Sequence, residues 1–148
     1  MACSLPGVSK IRVIREFTVQ SGRVFDALAD QDNMGRWLGA KISVPVRGAD
    51  SLVGTVRRVH LGPVSFDERI TSVQPGIAIG YEISTRLPAL VRHRGEVRVS
   101  PMDSQRCRVE WDVDLVLSPA FLGTPVLAGL KVLLGRGLGK LEHQLKAP

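Results

Sequence analysis

The chain has 148 residues, of which 44% are hydrophobic and 23% charged, and its formal net charge is +6. That length suits one domain, and the apolar content excludes a disordered chain or one that needs disulfides or a metal to fold. The two cysteines, Cys3 and Cys107, follow no CxxC spacing, which excludes a disulfide framework and points to a reducing, cytoplasmic setting.

In chain order, Met1–Lys10 lacks the apolar core of a signal peptide. Residues 1–9 are read as a flexible tail and residues 10–148 as a single domain. From Lys10 to Val19, Ile11, Val13, Phe17 and Val19 alternate with Arg12, Glu16 and Thr18, the pattern of a half-buried strand. Ser21 offers an N-cap to a short helix with an apolar stripe of Val24, Phe25, Ala27 and Leu28. A second short turn after Asp30 and Asp32 carries Met34, Trp37 and Leu38 and ends at Gly39.

Strand then follows strand: Lys41–Arg47, Leu52–Leu61, Val64–Val73, Ile77–Ile83, Gly95–Val99 and Cys107–Leu117. Short turns at Gly62-Pro63, Pro75-Gly76 and Met102–Ser104 make the series an antiparallel meander. Ala120–Lys146 is predicted helical, because Leu122, Val126, Leu130, Leu133, Leu134, Leu138, Leu141 and Leu145 recur at helical spacing. Gly123, Gly129, Gly135, Gly137 and Gly139 are costly in a helix, at about 1 kcal/mol each. They either allow close backbone approach, leave room for a ligand, or split the helix.

The basic residues Arg57, Arg58, Arg86, Arg92, Arg94, Arg98, Arg106 and Arg108 are dispersed, as on the solvated outer faces of strands. With only 5% aromatic residues, the chain has little to stack on nucleic acid, so no specific nucleic-acid partner is expected. The charge leaves room for weak contact with anionic surfaces. Leu115–Gly135 approaches the length of a membrane span, but Pro119, Pro125 and Lys131 interrupt it, so a buried core helix is expected and no transmembrane span.

The order strand, two short helices, six strands, long helix is that of the helix-grip fold. Val24-Phe25-Asp26-Ala27-Leu28-Ala29-Asp30, Asn33-Met34, Trp37, Val53-Gly54-Thr55-Val56-Arg57, Glu68-Arg69-Ile70 and the end of the last helix around Leu141 resemble the polyketide cyclase/dehydrase and lipid-transport group of the START-like (SRPBCC) superfamily. The resemblance runs from about Lys10 to Lys146. It implies an α+β fold in which a curved antiparallel sheet of six to seven strands wraps the C-terminal helix around an apolar cavity. Members of that group include carriers and cyclases, so the resemblance specifies fold better than chemistry.

Register singles out one cluster. A two-residue turn at Gly62-Pro63 places Leu61 opposite Val64, Val59 opposite Phe66, and Arg57 opposite Glu68, all on the apolar face. A second two-residue turn at Pro75-Gly76 is read as pairing Ile70 with Ile79 and Glu68 with Tyr81. Arg57, Glu68 and Tyr81 then form a polar row across an apolar surface. Such a row is an internal salt bridge that fixes register, an anchor for a ligand's carbonyl, hydroxyl or carboxylate, or a catalytic group with Glu68 as base and Arg57 holding an enolate. His93 shares the inward parity of Gly95, Val97 and Val99 and is a further acid/base candidate.

Trp111 is expected opposite Gly95, covering its missing side chain. Trp37 and Met34 are read as core or pocket lid, Cys107 as an inert inward hydrophobe, and Asp112 and Asp114 as solvated. The predicted ligand walls are Val59, Phe66, Ile70, Ile79, Val97, Val109, Trp111, Leu130 and Leu134.

The sequence contains no HExxH, Cys/His cluster, GxGxxG after a strand, GxxxxGK[ST] or GxSxG, so neither a metal nor a cofactor is expected. The function expected first is binding of an apolar small molecule such as a lipid, polyketide-like or isoprenoid compound. A cyclase or dehydratase in the same cavity is the alternative, and a ligand-free interaction module with a basic outer face is a third.

Overall fold

The structure, a computed structural model, describes residues 8–85, 90–117 and 123–147. Strand β1 (Val8–Phe17) leads into helix α1 (Ser21–Ala29), a 3-10 turn (Gln31–Asn33) and helix α2 (Gly35–Leu38). Then come β2 (Lys41–Val46), β3 (Val56–Leu61), β4 (Val64–Gln74), β5 (Ala78–Ile83), β6 (Leu90–Pro101), β7 (Cys107–Leu117) and helix α3 (Gly123–Lys146). Among the described residues, seven strands form one antiparallel sheet in the order β1-β7-β6-β5-β4-β3-β2. The meander from β2 to β7 follows from short connections, and β1 closes against the last strand, as Val13↔Trp111 and Phe17↔Cys107 show.

Alternation decides which side of the sheet is core. In β7 each of Cys107, Val109, Trp111, Val113, Leu115 and Leu117 is buried while its neighbours are more exposed. The opposite face carries the charge. Arg12–Asp112, Arg58–Asp67, Arg94–Glu82 and Arg108–Glu16 are ion pairs between residues directly opposite on neighbouring strands. These four arginines are therefore neutralised in place, and the net charge of +6 resides on other basic residues. Arg57 departs from the solvated reading, since it is buried, and Arg86 lies outside the described residues.

Helix α3 crosses the inner face over β1 and β7 and against α2. Leu134, Leu138 and Leu141 are its buried stripe. It is continuous despite its glycines. At Gly137 an added Cβ would lie 3.4 Å from Leu38 Cα and Trp37 Cε3, so this glycine allows α2 to approach. Polar tethers fasten the C-terminal half. The carboxylate of Glu142 accepts from Arg15 at 2.9 Å and from the Thr18 backbone N–H at 2.8 Å.

Several expectations are corrected. β1 begins at Val8, so Val8 and Ser9 belong to the sheet rather than to a tail. Gln20, not Ser21, occupies the N-cap of α1, and it makes no side-chain cap. β3 starts at Val56 rather than Leu52, because Gly54 turns the chain with φ 89°. β6 extends from Leu90 to Pro101, well beyond Gly95–Val99. Ala120 and Leu122 of the expected last helix lie outside the described residues. No described helix is long and apolar enough to cross a membrane.

Candidate functional site

Gly62, at φ 56°, closes the β3–β4 hairpin so that Leu61 pairs with Val64, Val59 with Phe66 and Arg57 with Glu68. The side chains of Arg57 and Glu68 are 4% and 7% exposed. Arg57 Nε donates to Glu68 Oε1 at 3.3 Å. Its Nη1 donates to Gln31 Oε1 at 2.8 Å and meets Met34 Sδ at 3.4 Å. The guanidinium carbon lies 4.4 Å from the centroid of the Tyr81 ring, a cation–π contact that is strong where water is excluded.

Tyr81 reaches this cluster by another pairing than expected. β4 and β5 pair Ile70 with Tyr81 and Glu68 with Ile83, not Ile70 with Ile79 and Glu68 with Tyr81. The predicted pairs are two residues out of step. Gln74 pairs with Ala78, so the connection spans Pro75, Gly76 and Ile77, and the register shift between Ile70 and Ser72 offsets that third residue, leaving Ile70 and Glu68 in the register a two-residue turn at Pro75-Gly76 gives. Tyr81 is thus diagonal to Glu68, still within reach of a long side chain.

The expected cover over Gly95 is also corrected. Trp111 pairs with Val97, because the β6–β7 loop runs from Pro101 to Cys107. Tyr81 lies opposite Gly95, and a Cβ there would collide with the Tyr81 ring and hydroxyl. Tyr81 fills the space, and its oxygen accepts from Trp111 Nε1 at 2.8 Å. Trp111 in turn stands edge-on to Trp37, with centroids 6.2 Å apart. Burial first, and the nearby Glu68 carboxylate second, push the Tyr81 hydroxyl well above its ordinary range, so it stays protonated.

His93 completes the group. Its Nδ1 lies 3.9 Å from Glu68 Oε2, beyond hydrogen-bond reach, and its ring is 5.7 Å from that of Tyr81 and 6.5 Å from that of Phe66. Nδ1 is the buried side-chain polar atom left without a partner among the described residues. Burial pulls the imidazole below its ordinary value of 6.5, against the opposing pull of Glu68, so the ring is neutral near pH 7.

The predicted walls separate by exposure. Val59, Ile70, Ile79, Val97, Val109, Trp111 and Leu134 are packed core, and Ile70 and Val109 have no exposed surface at all. Phe66 and Leu130 are half-buried, as are Ile42, Leu61, Leu90 and Leu127. Of these half-buried residues, Phe66 is the one in contact range of the polar cluster, through the His93 ring. Cys107 is buried and free, its thiol pushed up to about 11 by burial and then by Glu142.

Gln31 was not singled out in the sequence. Its carboxamide nitrogen donates to the Leu28 and Ala29 carbonyls, which aims its oxygen at Arg57. Its spacing of three from both Leu28 and Met34 is the signal that puts it on their face. The described residues include no group of three His, Cys, Asp or Glu side chains placed to hold a metal.

A curved antiparallel sheet gripping its C-terminal helix, with a polar cluster buried on the inner face, defines a helix-grip domain. The chain belongs to the polyketide cyclase/dehydrase and lipid transport family, whose sequence model matches residues 9–146. Among solved structures it is similar to the Zhui aromatase/cyclase from Streptomyces sp. R1128, with TM-score 0.80, 16% identity, and 94% of each chain covered. It is also similar to norcoclaurine synthase from Thalictrum flavum in complex with dopamine and hydroxybenzaldehyde, with TM-score 0.71, 14% identity, and 95% of this chain and 90% of that one covered. The di-domain aromatase/cyclase BexL matches with TM-score 0.73 and 14% identity, covering 91% of this chain and 45% of that one. At these identities the likeness is one of fold. No curated protein matches the sequence.

Proposed function

We propose that this protein binds a hydrophobic small molecule on the inner face of its sheet, with Arg57, Glu68, Tyr81 and His93 orienting the molecule's polar end. The observation that supports this most is the unpartnered His93 Nδ1, buried beside an ion pair in an otherwise apolar surface. A buried polar atom without a partner costs on the order of 1–3 kcal/mol, and a ligand oxygen recovers it. A structural salt bridge alone explains Arg57 and Glu68 but not His93. The half-buried Phe66, Leu61 and Leu130 supply apolar contact at the margin. The free buried Cys107 suits a reducing, cytoplasmic setting.

The second reading is an enzyme of the cyclase or dehydratase type. The observation in its favour is a neutral imidazole beside a carboxylate with a guanidinium adjacent, which is an acid/base pair next to an oxyanion-stabilising group. An interaction module working through a basic outer face has less support, because those arginines are largely ion-paired.

Native mass spectrometry of freshly purified protein, with circular dichroism to monitor the fold, tests the binding reading. A co-purified apolar compound is expected in the wild type and lost in Arg57→Ala while the fold persists. Retention of the compound at wild-type occupancy in Arg57→Ala would remove the anchoring role.

A further inference from the structure

This inference rests on the ligand-binding reading and narrows the class of ligand. Among the described residues, the buried side chains that bear charge are Arg57, Glu68 and Glu142; His93 is buried as well but neutral. Glu142 is at the far end, paired with Arg15 at 2.9 Å. At the cluster the imidazole is neutral and the Tyr81 hydroxyl protonated. One guanidinium and one carboxylate remain, in contact at 3.3 Å. The site is buried and polar, yet its formal charge sums to zero.

This balance has a direct consequence for recognition. A ligand carboxylate that approached Arg57 would leave water for a place where the positive charge is already matched. It would also meet Glu68, whose second oxygen lies 3.9 Å from His93 Nδ1. Burying an anion without an uncompensated partner is far costlier than burying a hydroxyl. A neutral ligand oxygen can still hydrogen-bond within the cluster without carrying charge out of water.

We propose that Glu68 is a specificity-determining residue, which makes this site take neutral oxygenated ligands (hydroxyl, enol or carbonyl) and reject carboxylates of the same shape. Replacing it by the isosteric amide leaves Arg57 unmatched. A ligand carboxylate then becomes the missing counter-charge, and the preference inverts.

Paired fluorescence titrations with 2-naphthol and 2-naphthoate near neutral pH test this. They present one apolar ring system with a neutral and an anionic oxygen group. The wild type is expected to bind 2-naphthol at least about tenfold more tightly. Glu68→Gln is expected to bind 2-naphthoate the more tightly. Equal or tighter binding of 2-naphthoate by the wild type overturns the proposal, as does an unchanged preference in Glu68→Gln. Should Glu68→Gln not fold, the wild-type ratio decides alone. Binding of neither compound by the wild type overturns the ligand-binding reading itself, and the charge filter with it.

Discussion

Tyr81 does three things at once. Its ring underlies the Arg57 guanidinium, its hydroxyl takes the Trp111 N–H, and its body occupies the space that a side chain at Gly95 would need. Gly95→Ala must therefore displace Tyr81, and overpacking of this kind costs about 1–3 kcal/mol. Chemical denaturation is expected to show that loss, together with a changed tryptophan emission from Trp111. His93 makes a separate prediction about pH. Its folded-state affinity for protons lies below the ordinary value of 6.5. As pH falls through that value the unfolded chain takes up a proton that the folded chain resists, so stability declines toward acid and is regained toward neutrality. His93→Gln is expected to flatten this part of the stability–pH curve. Parity alone pointed His93 inward. Its lack of a partner was not legible, because it depends on where Glu68 and Tyr81 come to rest across two other strands.

At the scale of elements, α3 shows how unequal its glycines are. A Cβ at Gly135 would meet nothing within 4 Å, whereas one at Gly137 would press on Leu38 and Trp37 at 3.4 Å. Gly135→Ala is therefore expected to stabilise the fold by about 1 kcal/mol through helix propensity. Gly137→Ala is expected to gain less or to lose stability, and the two melting temperatures measured side by side check this. The periodicity of Leu130, Leu134, Leu138 and Leu141 announced the helix, but nothing in it distinguished these two positions. The hairpins divide in the same way. β3–β4 was legible because Gly62-Pro63 leaves a single way to pair the strands. In β4–β5 the third turn residue and the bulge in β4 offset each other, so Ile70–Tyr81 and Glu68–Ile83 are the pairs a two-residue turn at Pro75-Gly76 itself gives, and the expected pairs miscount that turn by two. β6–β7 slipped by two because its loop takes in Gln105 and Arg106 as well.

For the whole molecule, element order and apolar alternation carried the fold from sequence to structure with corrections of a few residues at the ends. The site depended on finer matters. Arg57 and Glu68 pair as their hairpin predicts and Tyr81 arrives by a different register, while Gln31, which holds the guanidinium from the 3-10 turn after α1, carries no apolar periodicity to mark it. A long-range polar contact of that kind needs three-dimensional placement. The central claim is that a ligand's polar end seats on this buried cluster. It is tested most directly by NMR, titrating 2-naphthol while following the Trp111 indole N–H and the ring signals of His93 and of His60, which lies on the exposed outer face bonded to Ser65. Saturable shifts at Trp111 and His93 with His60 unmoved are predicted; shifts confined to His60, or none at Trp111 and His93 at saturating ligand, would contradict the account.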